Sequence, residues 1–146
     1  MLSLFKKYAT TDIELNHYNE LEALKTLATI AAKKANQDEQ LVKSGLLASI
    51  AQGEFSINGR VLTTNATITE THHIHIVVGT FANAVNWSGS SIDIAFIILT
   101  PAETDAAVID QINQSIQSKL ATQDLNELHG NTGALDKIVK AVKAEL

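Results

Sequence analysis

The stretch Ser91 to Thr100, SIDIAFIILT, is apolar at nearly every position and is closed by Pro101. Successive side chains of a strand point to opposite faces, so a strand apolar on both faces must be covered on both. Proline cannot donate to a ladder and ends the strand. The chain therefore needs a sheet with this segment at or near its centre and helices on either side.

The flanking sequence supplies those helices. Asn19 with Glu22 forms a capping-box variant, and Leu21, Leu24, Leu27, Ala28 and Ala31 make an apolar helical stripe ending near Ala35. Asp38 caps a second helix, expected to bury Leu41, Leu46, Leu47 and Ile50 and to stop near Gly53. A short strand is expected before them, from Asp12 to Asn16, with Ile13 and Leu15 on one face. Phe55, Ile57 and Val61 suggest two extended pieces around an Asn58-Gly59 turn. Ile74, Ile76 and Val78 alternate with His73, His75 and Val77 as in a strand.

Beyond Pro101 the period returns to helical. Val108, Ile109, Ile112, Ile116 and Leu120 form one stripe. Thr122 can cap a short helix through Leu128, and Leu135, Ile138, Val139, Val142 and Leu146 carry the last helix. Helices before and after a block of strands predict a three-layer α/β/α sandwich around a mixed sheet, one domain over residues 1–146.

Composition narrows the function. The chain has no cysteine, which removes disulfides, thiolate metal sites and thiol nucleophiles. Its formal charge of −5, with acids and bases interspersed, argues against a nucleic-acid surface. The start, MLSLFKKYATTD, is interrupted by Lys6 and Lys7 and does not resemble a signal peptide; no segment has the roughly 20 apolar residues of a membrane span. A cytoplasmic protein without membrane insertion is expected.

Three local features could carry chemistry. His72, His73 and His75 cluster, and in a strand His73 and His75 would share a face, a spacing some metal sites use. No third ligand is evident, so a polar face of an edge strand is expected, with no metal and no cofactor. Trp87, in the polar stretch NAVNWSGSS, could stack on a ligand or partner, or fold over the edge of the core. Neither a G-x-S-x-G elbow nor a phosphate-cradling glycine loop is present.

A resemblance adds to this. Ala84-Val85-Asn86-Trp87-Ser88-Gly89, then Ile92-Asp93-Ile94-Ala95-Phe96-Ile97-Ile98-Leu99 and Pro101, resembles a turn, core strand and proline of the fructose/mannitol-type enzyme IIA domains of the bacterial phosphotransferase system. Ile13-Glu14-Leu15 and Glu20-Leu21-Glu22-Ala23-Leu24 are similar to that family's opening strand and first helix. The resemblance runs from about Thr11 to Leu128. In that family a strand ends in Pro-His, and the imidazole accepts phosphate from the carrier protein HPr. From Leu46-Leu47 through Gly53, Ile57, Val61 and Ala66 the register holds without a gap, which puts Thr64 at the proline and Asn65 at the histidine. A helix-two arginine corresponds to Ser49, and a second histidine to Asp105.

Asparagine's amide nitrogen is not a nucleophile, because its lone pair is delocalised. Asp105 adds negative charge beside an incoming dianion, and Ser49 removes a guanidinium clamp. The resemblance, with these departures, implies a non-catalytic enzyme IIA-like protein. Its partner would be a protein: an HPr-like carrier, a membrane transporter or a regulator. Thr64, Asn65, Asp105 and Trp87 would mark the ligand or partner surface. Two alternatives stay open: a working phosphocarrier using His72 or His73, and a small-anion or metal sensor around His73 and His75.

Overall fold

A computed structural model describes residues 8–146. The stretch through Lys7, including the charged residues weighed against a signal peptide, lies outside the described residues. Five strands form one sheet: β1 (Ala9–Ile13), β2 (Phe55–Asn58), β3 (Val61–Thr67), β4 (His75–Trp87) and β5 (Ser90–Thr100), in the order β1-β4-β5-β3-β2. β5 is the middle strand. It runs antiparallel to β4 and parallel to β3, while β1 is parallel to β4 and β2 antiparallel to β3. The sheet is mixed, as expected.

Each face of β5 feeds a separate core. Ile92, Ala95, Ile97 and Leu99 pack with α1 (Glu20–Ala35) and α2 (Glu39–Ala51). Ile94, Phe96 and Ile98 pack with α3 (Ala106–Leu120), α4 (Leu125–Leu128) and α5 (Thr132–Ala144). The result is a three-layer α/β/α sandwich. No helix among the described residues is long and apolar enough to cross a membrane.

The caps follow the sequence closely. The Asn19 side chain accepts from the Glu22 amide and the Asp38 side chain from the Leu41 amide, each satisfying an orphan donor of a first turn. α1 ends at Ala35, with Asn36 in the left-handed region (φ 55°) as its C-cap. The cap of α4 is Asp124, which accepts from Asn126; Thr122 instead donates to the Lys119 carbonyl of the preceding helix. Gly59 (φ 64°) closes the β2–β3 hairpin, with Asn58 opposite Val61.

Four expectations need correction. β1 lies earlier than Asp12 to Asn16, because Ala9 and Thr10 pair with Val78 and Gly79, and Asp12 has a positive φ of 57°. Its start is fixed from far away: the buried Asp136 carboxylate accepts from the amides of Tyr8 and Ala9. The buried face of α2 is Val42, Leu46 and Ser49, whereas Leu41 and Leu47 are exposed. Gly45 explains this rotation: a Cβ there would stand 3.1 Å from the Ala66 Cβ, so the helix approaches β3 through its smallest side chain. Leu21 and Leu146 are likewise exposed rather than buried.

Phe96 is fully buried in the middle strand. Phe96→Ala should lower the unfolding free energy by about 3–5 kcal/mol, the range for truncating a buried aromatic side chain. Urea denaturation of the two proteins checks it, and a loss below about 1 kcal/mol would contradict the central placement of β5.

Candidate functional site

A cleft of about 420 Å³ opens between β2, β3 and the first turns of α3. Its position follows from topology. α2 ends at Ala51, and the chain turns through Gly53 (φ 75°) and Glu54 into the edge strand β2. The β2–β3 pairing begins at Phe55 opposite Thr64, so β3 runs past its partner from Asn65 onward. α3 starts shortly after β5, whose direction is parallel to β3. The cleft therefore lies toward the carboxyl end of a parallel strand pair, beside a helix N-terminus, where open α/β sheets commonly bind ligands.

Thr63 and Asn65 lie on the α3 side of β3 and line the cleft together with Glu54, Ser56, Asp110 and Asn113. Thr63 is only 2% exposed, and its hydroxyl has no hydrogen-bond partner among the described residues. A buried polar atom left this way costs on the order of 1–3 kcal/mol. Ala106, the first residue of α3, is also at the wall. The preceding Asp105 caps the helix, its carboxylate accepting from the Ala107 amide at 3.2 Å. This occupies one first-turn donor and sets a negative charge against the positive end of the helix.

The residues singled out from sequence separate in space. Asn65 is in the cleft and Asp105 adjoins its wall. Ser49 is buried on the sheet-facing side of α2 and is not a lining residue. Thr64 points to the face opposite Thr63 and Asn65, is buried, and donates its hydroxyl to the Glu54 carbonyl; it is no surface contact. Trp87 is not a surface either. It is the last residue of β4, 0% exposed, and meets the Phe55 ring edge-on with centroids 6.4 Å apart. Ser88 (φ 50°) and Gly89 (φ 85°) make the turn that lets Trp87 pair with Ser90, so the polar stretch around it is a hairpin end. None of the five histidines lines the cleft.

The histidine cluster also differs from expectation. β4 begins at His75 and is an interior strand, and His72 and His73 lie in the bend before it. They form no edge-strand face. No group of three His, Asp or Glu residues that could hold a metal ion occurs among the described residues. Thr71 organises the bend: its hydroxyl donates to the His73 carbonyl and is 2.9 Å from His75 Nε2. Burial pushes the His75 pKa below its ordinary value, and the charges of Lys143 and His73 lower it further.

A second polar cluster is structural. Arg60 forks onto Asp93 (Nε to Oδ1, 2.8 Å; Nη2 to Oδ2, 2.5 Å) and donates to Asn126 at 2.6 Å. His129 Nε2 lies 2.6 Å from the Phe81 carbonyl and 3.5 Å from Asp93. The hydrogen bond to Asp93 raises the Arg60 pKa. This cluster sits at the other end of β3, joining the β2–β3 hairpin to β5 and α4.

No protein-family model and no curated protein matches the sequence. Solved structures do. Nitrogen regulatory protein IIA-Ntr from Neisseria meningitidis superposes with a TM-score of 0.75 at 12% identity, covering 90% of this chain and 92% of that one. A phosphotransferase-system (PTS) IIA-type protein from Streptococcus mutans, PtxA, gives 0.69 at 11% identity, over 97% and 92%. The chain has the PTS IIA fold. A IIA domain from Streptococcus pyogenes gives 0.52 at 11% identity, over 97% and 94%. Within this shared IIA fold, the polar cleft residues that the sequence reading missed are Glu54, Ser56, Thr63, Asp110 and Asn113, which carried no sequence motif.

The depressed His75 pKa gives a pH prediction. Below about pH 6.5 the unfolded chain binds a proton that the folded chain resists, so stability falls as pH drops through that region. His75→Gln should flatten this part of the profile, measured by urea denaturation from about pH 7.5 to 5.5. An unchanged slope in the variant would assign the effect elsewhere.

Proposed function

We propose that this protein is a PTS IIA-like domain that no longer carries a phosphoryl group and instead works as a regulatory, protein-binding module in the cytoplasm. Its partner is an HPr-like carrier, a membrane transporter or a regulator. The observation that carries the reading is the cleft at the α3 N-terminus, which contains Asn65 and no histidine. Phosphoryl transfer by a side chain needs a nucleophile held in line, with donors and positive charge around the transferred group. Asn65 offers a neutral amide. The carboxylates of Glu54 and Asp110 line the same space, and Asp105 caps the adjoining helix. Each would repel an incoming phosphoryl group. The IIA fold supports the choice of partner class, since the neighbours with this architecture are a nitrogen regulatory protein and PTS IIA proteins.

Incubation with enzyme I, HPr and labelled phosphoenolpyruvate should leave the wild-type protein unlabelled. Asn65→His alone should gain little acid-labile label, because Glu54 and Asp110 still line the site and Asp105 still caps the adjoining helix. Asn65→His with Asp105→His should gain more than the single changes together, as residues acting in one constellation are non-additive. Ser49→Arg should add nothing useful, since residue 49 is buried against the sheet. Stoichiometric labelling of the wild type on any histidine would refute the loss of carrier activity.

A further inference from the structure

The cleft has a chemical character of its own. Glu54 and Asp110 are exposed at its walls, and neither forms an ion pair with a Lys, Arg or His among the described residues. No basic side chain lines it. The Asp105 carboxylate, beside the wall residue Ala106, counters the positive end of α3. A site built for an anion would have the opposite charge.

An acidic surface alone would indicate solvation only. The second observation is Thr63, whose side chain lies on the cleft side of β3 and whose buried hydroxyl has no partner among the described residues. Buried polar atoms are normally satisfied, so an unsatisfied one at a cleft is a position that a ligand or an ordered water completes. The side-chain amides of Asn65 on β3 and Asn113 on α3 provide further acceptors on the two sides of the cleft. The volume, about 420 Å³, falls in the range of small-ligand sites. Glu54 comes from the turn before β2 and Asp110 from α3, and no three candidate metal ligands cluster among the described residues. Carboxylates on two different elements, with several neutral acceptors, suit an organic cation that donates several hydrogen bonds at once.

We infer that this cleft binds a guanidinium or alkylammonium group, with Glu54 and Asp110 supplying charge and Thr63, Asn65 and Asn113 accepting hydrogen bonds. The inference rests on the non-carrier reading above and names the chemistry the degenerate site accepts. The cation comes either from a free small molecule or from an arginine or lysine side chain of the protein partner.

The test uses the full chain, labelled with ¹⁵N, titrated separately with agmatine, putrescine, a short arginine-containing peptide and uncharged butanediol. Saturable amide shifts at Glu54, Thr63, Asn65, Ala106 and Asp110 are expected with the cations and not with butanediol, and should weaken as salt is added. Glu54→Gln with Asp110→Asn should reduce affinity at least tenfold. Both residues are exposed, so a matching melting temperature shows that the fold is retained. Tighter binding of the free amines would identify a small-molecule ligand, and tighter binding of the peptide a partner's side chain. Either supports the inference. Absence of saturable shifts for every cation, or equal affinity in the double variant, would overturn it. Phosphorylation of the wild type removes the reading beneath it, whereas failure of cation binding in a chain that stays unphosphorylated removes only this inference.

Discussion

Two-sided burial of β5 is the constraint on which the rest of the structure depends. A strand with no polar face to give to water needs helices above and below and a paired strand on each edge. α1 and α2 meet that need on one face, α3 and α5 on the other, and β3 and β4 at the edges. Once β5 is fixed, parallel pairing with β3 brings Asn65 opposite Ile98, and the chain leaving β5 begins α3 a few residues later. The cleft is thus a consequence of how the central strand is paired and exited.

The same arrangement makes the site's chemistry depend on few side chains. A helix N-terminus beside a strand end is inherently suited to anions. Here Asp105 occupies a first-turn amide, while Glu54 and Asp110 face the space in front of it. The architecture is similar to that of IIA proteins at 11–12% identity, while the cleft is lined by carboxylates and by no basic side chain. The resemblance seen in the sequence concerned mainly the central strand and its turn, which serve packing.

How much was legible depended on whether the signal was local. The caps at Asn19 and Asp38, the Asn58-Gly59 hairpin and the central strand each depend on neighbours in sequence, and each was readable. The α2 face was misread because leucines outweigh glycine on any hydrophobic pattern, yet close approach to Ala66 requires Gly45 on the buried side. Trp87 looked like a loop residue because polar neighbours surround it, but the positive φ values of Ser88 and Gly89 belong to a tight hairpin that draws it into the core. The histidine alternation extended two residues too far, since β4 starts only at His75. The cleft was half legible. Register placed Asn65 and Asp105 near it, but Thr63, Asp110 and Asn113 meet only through the packing of α3 on β3, and no spacing in the sequence encodes that.

A cleft around Asn65 that receives no phosphoryl group, as proposed, should also have no affinity for the anion itself. Inorganic phosphate can be titrated into the ¹⁵N-labelled protein at constant ionic strength while the amides of Gly53, Asn65, Ala106 and Ala107 are followed. These resonances are expected to show no saturable shift, because carboxylates guard the helix N-terminus and no cationic side chain lines the cleft. A saturable shift converging on Asn65 and Ala106 would contradict the claim and return the site to the phosphate-binding role of a working carrier.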